Sequence, residues 1–257
     1  MISTMRVAFV TGAGSGLGRA IAHRLAADGS SVAVTDINEE AAAKVVAEIE
    51  SEGGTALAQL CDVADRGSVK TATDAVVAEL GGIDALVNNA GFDEPEFFLQ
   101  SDPDSWDRVV AVVMMGTLNC TFAIAPLIVE RCRETGYGRI VNVASDAARV
   151  GAMGEAAYSA AKGGVVAFTK SMARELARDR VTANAICPGP ANTPMAEGIN
   201  RLPIGEKIFR GMIAVTPMKR VAEPEEVAGA VAYFCSEDAR FTTGQVLSVS
   251  GGLSMSG

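Results

Sequence analysis

The sequence predicts an α/β fold: a single-domain, doubly wound parallel sheet of about seven strands with a helical lid. Three observations predict it. Short β-branched runs alternate with long helical runs along the chain, the order that parallel strands joined by right-handed crossovers produce. A glycine-rich turn joins the first strand to the first helix. No linker or low-complexity segment divides the 257 residues, 49% of them hydrophobic and only 5% aromatic. That composition suits closely packed helices on a sheet, and the length supports one large core.

The elements follow in order. Val7–Thr11 reads as a strand and Gly16–Asp28 as a helix. Ser31–Asp36 is a strand, Glu39–Glu52 a helix, Thr55–Cys61 a strand and Asp65–Leu80 a helix. Ala85–Asn88 is a short strand, followed by a helical stretch from about Ser105 to Glu134. Arg139–Val143 is a strand, Ala156–Ala177 a long helix, Val181–Ile186 a strand, Pro224–Cys235 a helix and Gln245–Val249 the last strand. Asp65-Arg-Gly-Ser68 and Ser101-Asp-Pro-Asp104 carry the capping oxygens and early proline of helix starts. Residues 1–257 form one domain. Within it, 190–217 combines turn residues with a half-apolar helix carrying Met195, Ile199, Ile204, Ile208, Phe209 and Met212. It follows a strand that ends at the ligand-binding edge, which suits a substrate lid as well as it suits a surface helix.

Composition narrows the function. The net charge is -9 and there is no run of lysine or arginine, which argues against nucleic acid as a partner. No apolar stretch approaches the length of a membrane span, and the N-terminus lacks the apolar region of a secretory signal, so the expected location is cytoplasmic. Cysteines at 61, 120, 132, 187 and 235 lack metal-ligand spacing and read as buried free thiols. The one histidine, His23, cannot build a common zinc site or a Ser-His-Asp triad, so no metal is expected.

Thr11-Gly-Ala-Gly-Ser-Gly-Leu-Gly18 sits between strand and helix. Gly12, Gly14, Gly16 and Gly18 let the backbone turn sharply, and Ser15, Gly16 and Leu17 open a helix whose free amides suit a pyrophosphate. This predicts a Rossmann-like dinucleotide site. Asp36 ends the second strand, where a carboxylate binds ribose hydroxyls and repels a 2′-phosphate. Neither Ser15 nor Ile37 supplies the cation that a phosphate needs, so NAD is favoured over NADP. Asp62, followed by Val63, is placed for the adenine amino group or for a helix cap. Asn88-Asn-Ala-Gly91 puts Asn89, Ala90 and Gly91 where a cofactor passes close to the backbone.

Tyr158-Ser-Ala-Ala-Lys162 places a phenol and an ammonium one helical turn apart, with Ser145 thirteen residues upstream. Alone, this spacing also fits a helix-surface pair. A positive neighbour favours phenolate and would bring the phenol, with a free pKa of about 10, toward general acid/base use.

These ordered motifs, together with Cys187-Pro-Gly189 and Thr193, resemble the short-chain dehydrogenase/reductase family over nearly the whole chain. The resemblance implies Tyr158 as general acid/base. Lys162 would bind the nicotinamide ribose and lower the Tyr158 pKa, and Ser145 would hold the substrate oxygen. Pro188, Gly189 and Thr193 would line the nicotinamide. It also implies a homotetramer. One departure stands out: Val113 occupies the position where family members usually carry an asparagine that helps a water link the lysine to solvent. Asn119 is near in sequence but out of register.

At the substrate end, Phe92, Asp93, Phe97, Phe98, Asp146, Arg149, Met153, Pro190 and Met195 are candidate wall residues. The stretches 145–151 and 244–252 are similar to 2-hydroxycyclohexanecarboxyl-CoA dehydrogenases, a subgroup that shades into 3-oxoacyl thioester reductases. An acyl-CoA would want local positive charge, for which Arg149, Arg201, Lys207 and Arg210 are candidates or else solvated surface cations. The expected activity is NAD-dependent interconversion of a secondary alcohol and a ketone on a small-molecule substrate such as a β-hydroxyacyl-CoA. The alternatives are a carbonyl or 3-oxoacyl reductase acting on a non-CoA substrate, and a non-catalytic NAD-binding subunit.

Overall fold

The computed structural model of the chain describes residues 6–200 and 205–255. Seven parallel strands, β1 (Val7–Thr11), β2 (Ser31–Asp36), β3 (Thr55–Leu60), β4 (Ala85–Asn88), β5 (Arg139–Val143), β6 (Thr182–Pro188) and β7 (Val246–Val249), form one sheet. Their order is β3-β2-β1-β4-β5-β6-β7. The chain moves outward from β1 to β3, then restarts at β4 on the other side of β1. That reversal opens a crevice at the carboxyl ends of β1 and β4, where open α/β sheets take their ligands. Every residue of β1, β5 and β6 is buried, as expected of β-branched strands covered on both faces.

Helices α1 (Gly16–Ala27), α2 (Glu39–Ser51) and α3 (Arg66–Leu80) alternate with the first strands. Then come α4 (Pro103–Val109), α5 (Gly116–Thr135), the short α6 (Ala147–Val150), α7 (Ala156–Leu176), α8 (Pro194–Asn200), α9 (Gly205–Val215) and α10 (Pro224–Cys235). One face of the sheet buries Ile21 and Leu25 of α1, Val45 and Ile49 of α2, and Val231 and Phe234 of α10. The other buries Val76 of α3, Ile124 and Ile128 of α5, and Ala173 of α7. The predicted caps form: Asp65 accepts the Gly67 amide at 2.7 Å and Asp102 the Asp104 amide at 3.0 Å. All five cysteines are free and buried, and His23 bonds Glu48 and Glu52 on α2.

The long helix corrects two expectations. It begins at Pro103, and a π-helical turn at Val110–Met115 separates α4 from α5. It is also long and apolar enough to cross a membrane by length and composition, contrary to the sequence reading: its most apolar stretch has a mean hydropathy of 1.9. The cause is an uncharged run from Val109 to Val129. In the fold, 44% of that stretch is buried. Cys120, Ile124 and Ile128 lie against the sheet, and the buried Thr117 and Thr121 hydroxyls donate to helix carbonyls. These are the features of a core helix of an α/β fold.

Candidate active site

The carboxyl ends of β1 and β4 are stitched together by side chains. Asn89 Nδ2 donates to the carbonyls of Thr11 at 2.9 Å and Gly12 at 3.1 Å, while Thr11 Oγ1 accepts the Asn89 and Ala90 amides. Gly12 and Gly16 adopt left-handed φ of 61° and 53°. A Cβ on Gly18 would stand 2.0 Å from the Gly12 carbonyl oxygen. The turn therefore needs its glycines, and it brings the start of α1 up to the crevice. Ser15 makes no side-chain cap to α1, leaving the first amides of the helix to a ligand. Asp36 receives the Gly14 and Asn38 amides, each at 2.9 Å, which fixes its carboxylate beside the turn. Arg19 is engaged with Glu48 at 2.7 Å.

Above these elements lies a cavity of about 1100 Å³. Of the predicted cofactor residues, Gly12, Ser15, Gly16, Leu17, Asp36, Ile37, Asp62, Val63, Asn89, Ala90, Gly91, Pro188, Gly189 and Thr193 line it. Gly14 and Gly18 shape the turn beneath without lining the wall. The glycine cradle, the uncapped helix start and the braced Asp36 fit a dinucleotide: pyrophosphate over Gly12–Leu17 and a ribose at Asp36. Asp62 Oδ1 also accepts the Ala64 amide at 2.9 Å.

Further along the same cavity stand Ser145, Tyr158 and Lys162. Ser145 follows β5, where Ala144 and Asp146 donate to the carbonyls of Ile186 and Pro188 at 2.7 and 2.9 Å, tying that segment to the end of β6. Tyr158 and Lys162 share one face of α7. Lys162 Nζ donates to the Val143 carbonyl at 2.6 Å and lies 5.6 Å from the centre of the Tyr158 ring. Val113, fully buried in the π-helical turn, brings an apolar side chain to this corner. A Cβ on Gly91 would meet both Val113 Cγ2 and Lys162 Nζ at 3.5 Å. Asn119 is used elsewhere, bonding the Val63 carbonyl and Arg66.

At Tyr158 burial and neighbouring carboxyls set the direction. Burial pushes its phenol up from the ordinary value; Asp93 and Glu155 push it further, and a hydrogen bond from Ser145 only partly offsets them. Burial also brings the Lys162 ammonium down to about 8. A lysine that is itself desolvated does not outweigh the desolvation of its neighbour. The upward shift favours the phenol, the form that can donate a proton.

At the substrate end, Phe92, Asp93, Phe97, Asp146, Met153, Pro190 and Met195 line the cavity. Two candidates do not. Phe98 stacks on Trp106 with ring centres 4.6 Å apart. Arg149, on the short α6, turns toward β7 and donates to the Val246 carbonyl at 2.9 Å and the Ser248 hydroxyl at 3.1 Å. Lys207 of α9 lines the cavity, whereas Arg210 pairs with Glu206 on the helix exterior. Arg201 and Ile204 lie outside the described residues. Both α8 and α9 border the cavity: Pro194 Cδ would be 3.5 Å from a Cβ on Gly16, and Ile208 Cδ1 would be 2.7 Å from one on Gly154. The sequence reading missed Glu155, a buried carboxyl lining the cavity three residues before Tyr158. Its place in the turn before Tyr158 was the available signal.

Known proteins resemble this chain in sequence and fold. Residues 12–254 match the family model described as enoyl-(acyl carrier protein) reductase. The chain is 39% identical to a 3-oxoacyl-[acyl-carrier-protein] reductase of Synechocystis sp., over 98% of both chains. It is 37% identical to a (3R)-3-hydroxyacyl-CoA dehydrogenase of Canis lupus familiaris, over 97% of this chain and 96% of that one. A crystal structure of a 3-ketoacyl-(acyl-carrier-protein) reductase from Brucella melitensis complexed with NADH superposes with a TM-score of 0.89 at 34% identity, covering 97% of this chain and 98% of that one. With the glycine turn, the sheet order and the Ser145–Tyr158–Lys162 wall in one fold, these likenesses make the chain an oxidoreductase of the short-chain dehydrogenase/reductase family.

Proposed function

We propose that the protein interconverts a 3-oxoacyl and a 3-hydroxyacyl thioester with NAD(H), a CoA thioester being the favoured substrate. The observation that carries this reading is the single cavity wall running from the glycine turn and Asp36 to Ser145, Tyr158 and Lys162. When bound, the nicotinamide ring supplies or accepts the hydride. The remaining work belongs to this chain's side chains. Ser145 holds the substrate oxygen, and Tyr158 gives its proton to that oxygen in reduction and takes it back in oxidation. Lys162, braced by the Val143 carbonyl, holds the nicotinamide ribose.

Of the described candidate cations Arg149, Lys207 and Arg210, Lys207 lines the cavity, which supports an acyl carrier with a phosphate-bearing arm. Residues 190–217 act as the lid, their apolar Met195, Ile208 and Met212 excluding water from the reacting carbon. Asp36 supports NAD over NADP. The protein works in the cytoplasm as a homotetramer, self-association being supported by the exposed Phe122 on α5 and Phe241 before β7.

The test is turnover of purified protein with a panel of 3-oxoacyl-CoA thioesters and simple ketones, following NADH and NADPH absorbance. Acetoacetyl-CoA reduced faster with NADH than with NADPH supports the reading; no thioester turnover with either cofactor contradicts it. Light scattering on the same sample tests the tetramer.

A further inference from the structure

The proton that moves through Tyr158 must be exchanged with solvent each turnover, and the surroundings of Tyr158 restrict how. On the side of Gly91 and Lys162, the neighbour is the methyl of Val113, which cannot carry a proton. On the opposite side stand two carboxyls, Asp93 from the loop after β4 and Glu155 from the turn before α7. Both line the reaction cavity beside Tyr158. Asp93, Glu155 and Tyr158 also line a second cavity of about 10 Å³, bordered by the polar Glu94, Glu96, Ser101 and Ser105. That is about the space one water needs. The same three residues thus form the partition between the reaction cavity and a small polar chamber.

The partition is built, not incidental. The Glu96 amide donates to the Gly154 carbonyl at 2.8 Å and joins the two carboxyl-bearing segments. Glu94 is held by Arg108 at 2.7 Å. Burial and the neighbouring Glu155 raise Asp93 to about 7, and burial alone raises Glu155 to about 7, so both exchange protons near neutrality. Among the described residues, Glu94, Glu96, Lys162 and Tyr158 stand around them, and Lys207 and Asp146 line the same cavity. The Cys187 thiol, which burial pushes up to about 11, lies near Tyr158 and Lys162. Asp93 and Glu155 are the two carboxyls that raise the Tyr158 phenol among the described residues.

We propose that Asp93 and Glu155 form a proton relay that carries the Tyr158 proton between the reaction cavity and solvent through the small polar chamber. The proposal rests on the reading of Tyr158 as the acid/base. In oxidation, the Tyr158 O–H breaks first and its proton joins a carboxylate oxygen of the pair, leaving a phenolate. The substrate O–H then breaks and its proton joins that phenolate, while carbon gives up a hydride with its electron pair, which a bound nicotinamide would accept. The carboxylic acid formed in the first step releases its proton to solvent. Each turnover liberates one proton, and reduction runs the sequence in reverse.

The test compares wild type with Asp93→Asn, Glu155→Gln and the double variant, full-length and saturated with NADH. Turnover is read from pH 5 to 9 with acetoacetyl-CoA, or with the fastest ketone of the panel, in H2O and D2O, with and without imidazole. The relay predicts a wild-type kcat inflection near pH 7. In the double variant that inflection disappears and kcat falls about tenfold or more, with KM little changed. The solvent isotope effect rises, and imidazole restores part of the rate. A double variant with wild-type kcat and the same inflection overturns the relay. If the double variant loses its cooperative thermal transition, each single variant must lower kcat and displace the inflection, and singles with wild-type profiles overturn it equally. Tyr158→Phe separates the two claims. Retained turnover refutes the reading of Tyr158, whereas lost turnover with unaltered relay variants refutes the relay alone.

Discussion

Cofactor choice turns on the charge of one side chain, and Asp36→Asn isolates it. The substitution keeps the shape at the end of β2 and removes the charge. Asp36 accepts two amides, from Gly14 and Asn38, each at 2.9 Å. Asparagine keeps one acceptor and offers an NH2 to the other amide, so the turn loses one hydrogen bond, about 1 kcal/mol. That change falls on both cofactors alike. The charge acts only against a ribose 2′-phosphate. A unit charge pair at about 4 Å costs about 1 kcal/mol in water and about 4 kcal/mol at the effective dielectric of a half-buried surface. Asp36 is half-buried and open to the cavity, so a penalty between these limits applies. Removing it narrows the ratio of kcat/KM for NADH over NADPH by about tenfold to several hundredfold, since 1.4 kcal/mol is tenfold. The NADH value itself falls only a few-fold. The assay is initial rates with both cofactors on one ketone, alongside fluorescence titration of each cofactor. A ratio unchanged within about twofold refutes the electrostatic account, as does a wild-type enzyme that prefers NADPH; either leaves about 1.4 kcal/mol per tenfold unaccounted for.

Other outcomes follow from the same geometry. Gly18→Ala forces a Cβ to 2.0 Å from the Gly12 carbonyl, so the turn must shift; NADH binding measured by fluorescence falls by about tenfold or more. Asp84 is 2% exposed and receives both the Val7 amide and Arg131 Nε at 2.8 Å. Asp84→Ala strands these donors and lowers unfolding stability by about 3–5 kcal/mol in urea titration. Burial pushes the Glu155 carboxyl up to about 7, from an ordinary 4.5. Its contribution to stability is therefore full below that lower value and lost as pH rises through 7. Glu155→Gln removes the loss, so the melting temperature of the variant exceeds that of wild type at pH 8 and the gap closes at pH 5.

Much of this was legible in the residues. Val7–Thr11 and Ser31–Asp36 announce themselves because strands covered on both faces must be apolar throughout. The glycine turn follows from spacing, since a side chain at Gly12, Gly16 or Gly18 would be strained or clash, and Asp36 follows from its place at the end of β2. Other features depend on the assembled fold. The π-helical turn at Val110–Met115 inserts a fraction of a turn that helical periodicity does not resolve, and the uncharged run around it reads as core or span until the sheet beneath it is seen. Arg149 sits on a four-residue helix whose facing toward β7 no periodic pattern sets. The upward shift of Tyr158 is a contest between a lysine one turn away and burial beside two carboxyls. Sequence spacing reveals the lysine but not the burial, and Glu155 escaped notice for the same reason.

The central claim is that Tyr158 transfers the proton in a hydride-transfer reaction. The measurement that tests it most directly is single-turnover reduction of a 3-oxoacyl thioester by NADH in Tyr158→Phe, with NADH binding measured on the same sample. The account predicts a fall of about 10² to 10⁴ in the chemical step with NADH affinity within about threefold of wild type. Single-turnover reduction at the wild-type rate, in a folded variant that binds NADH, would contradict it.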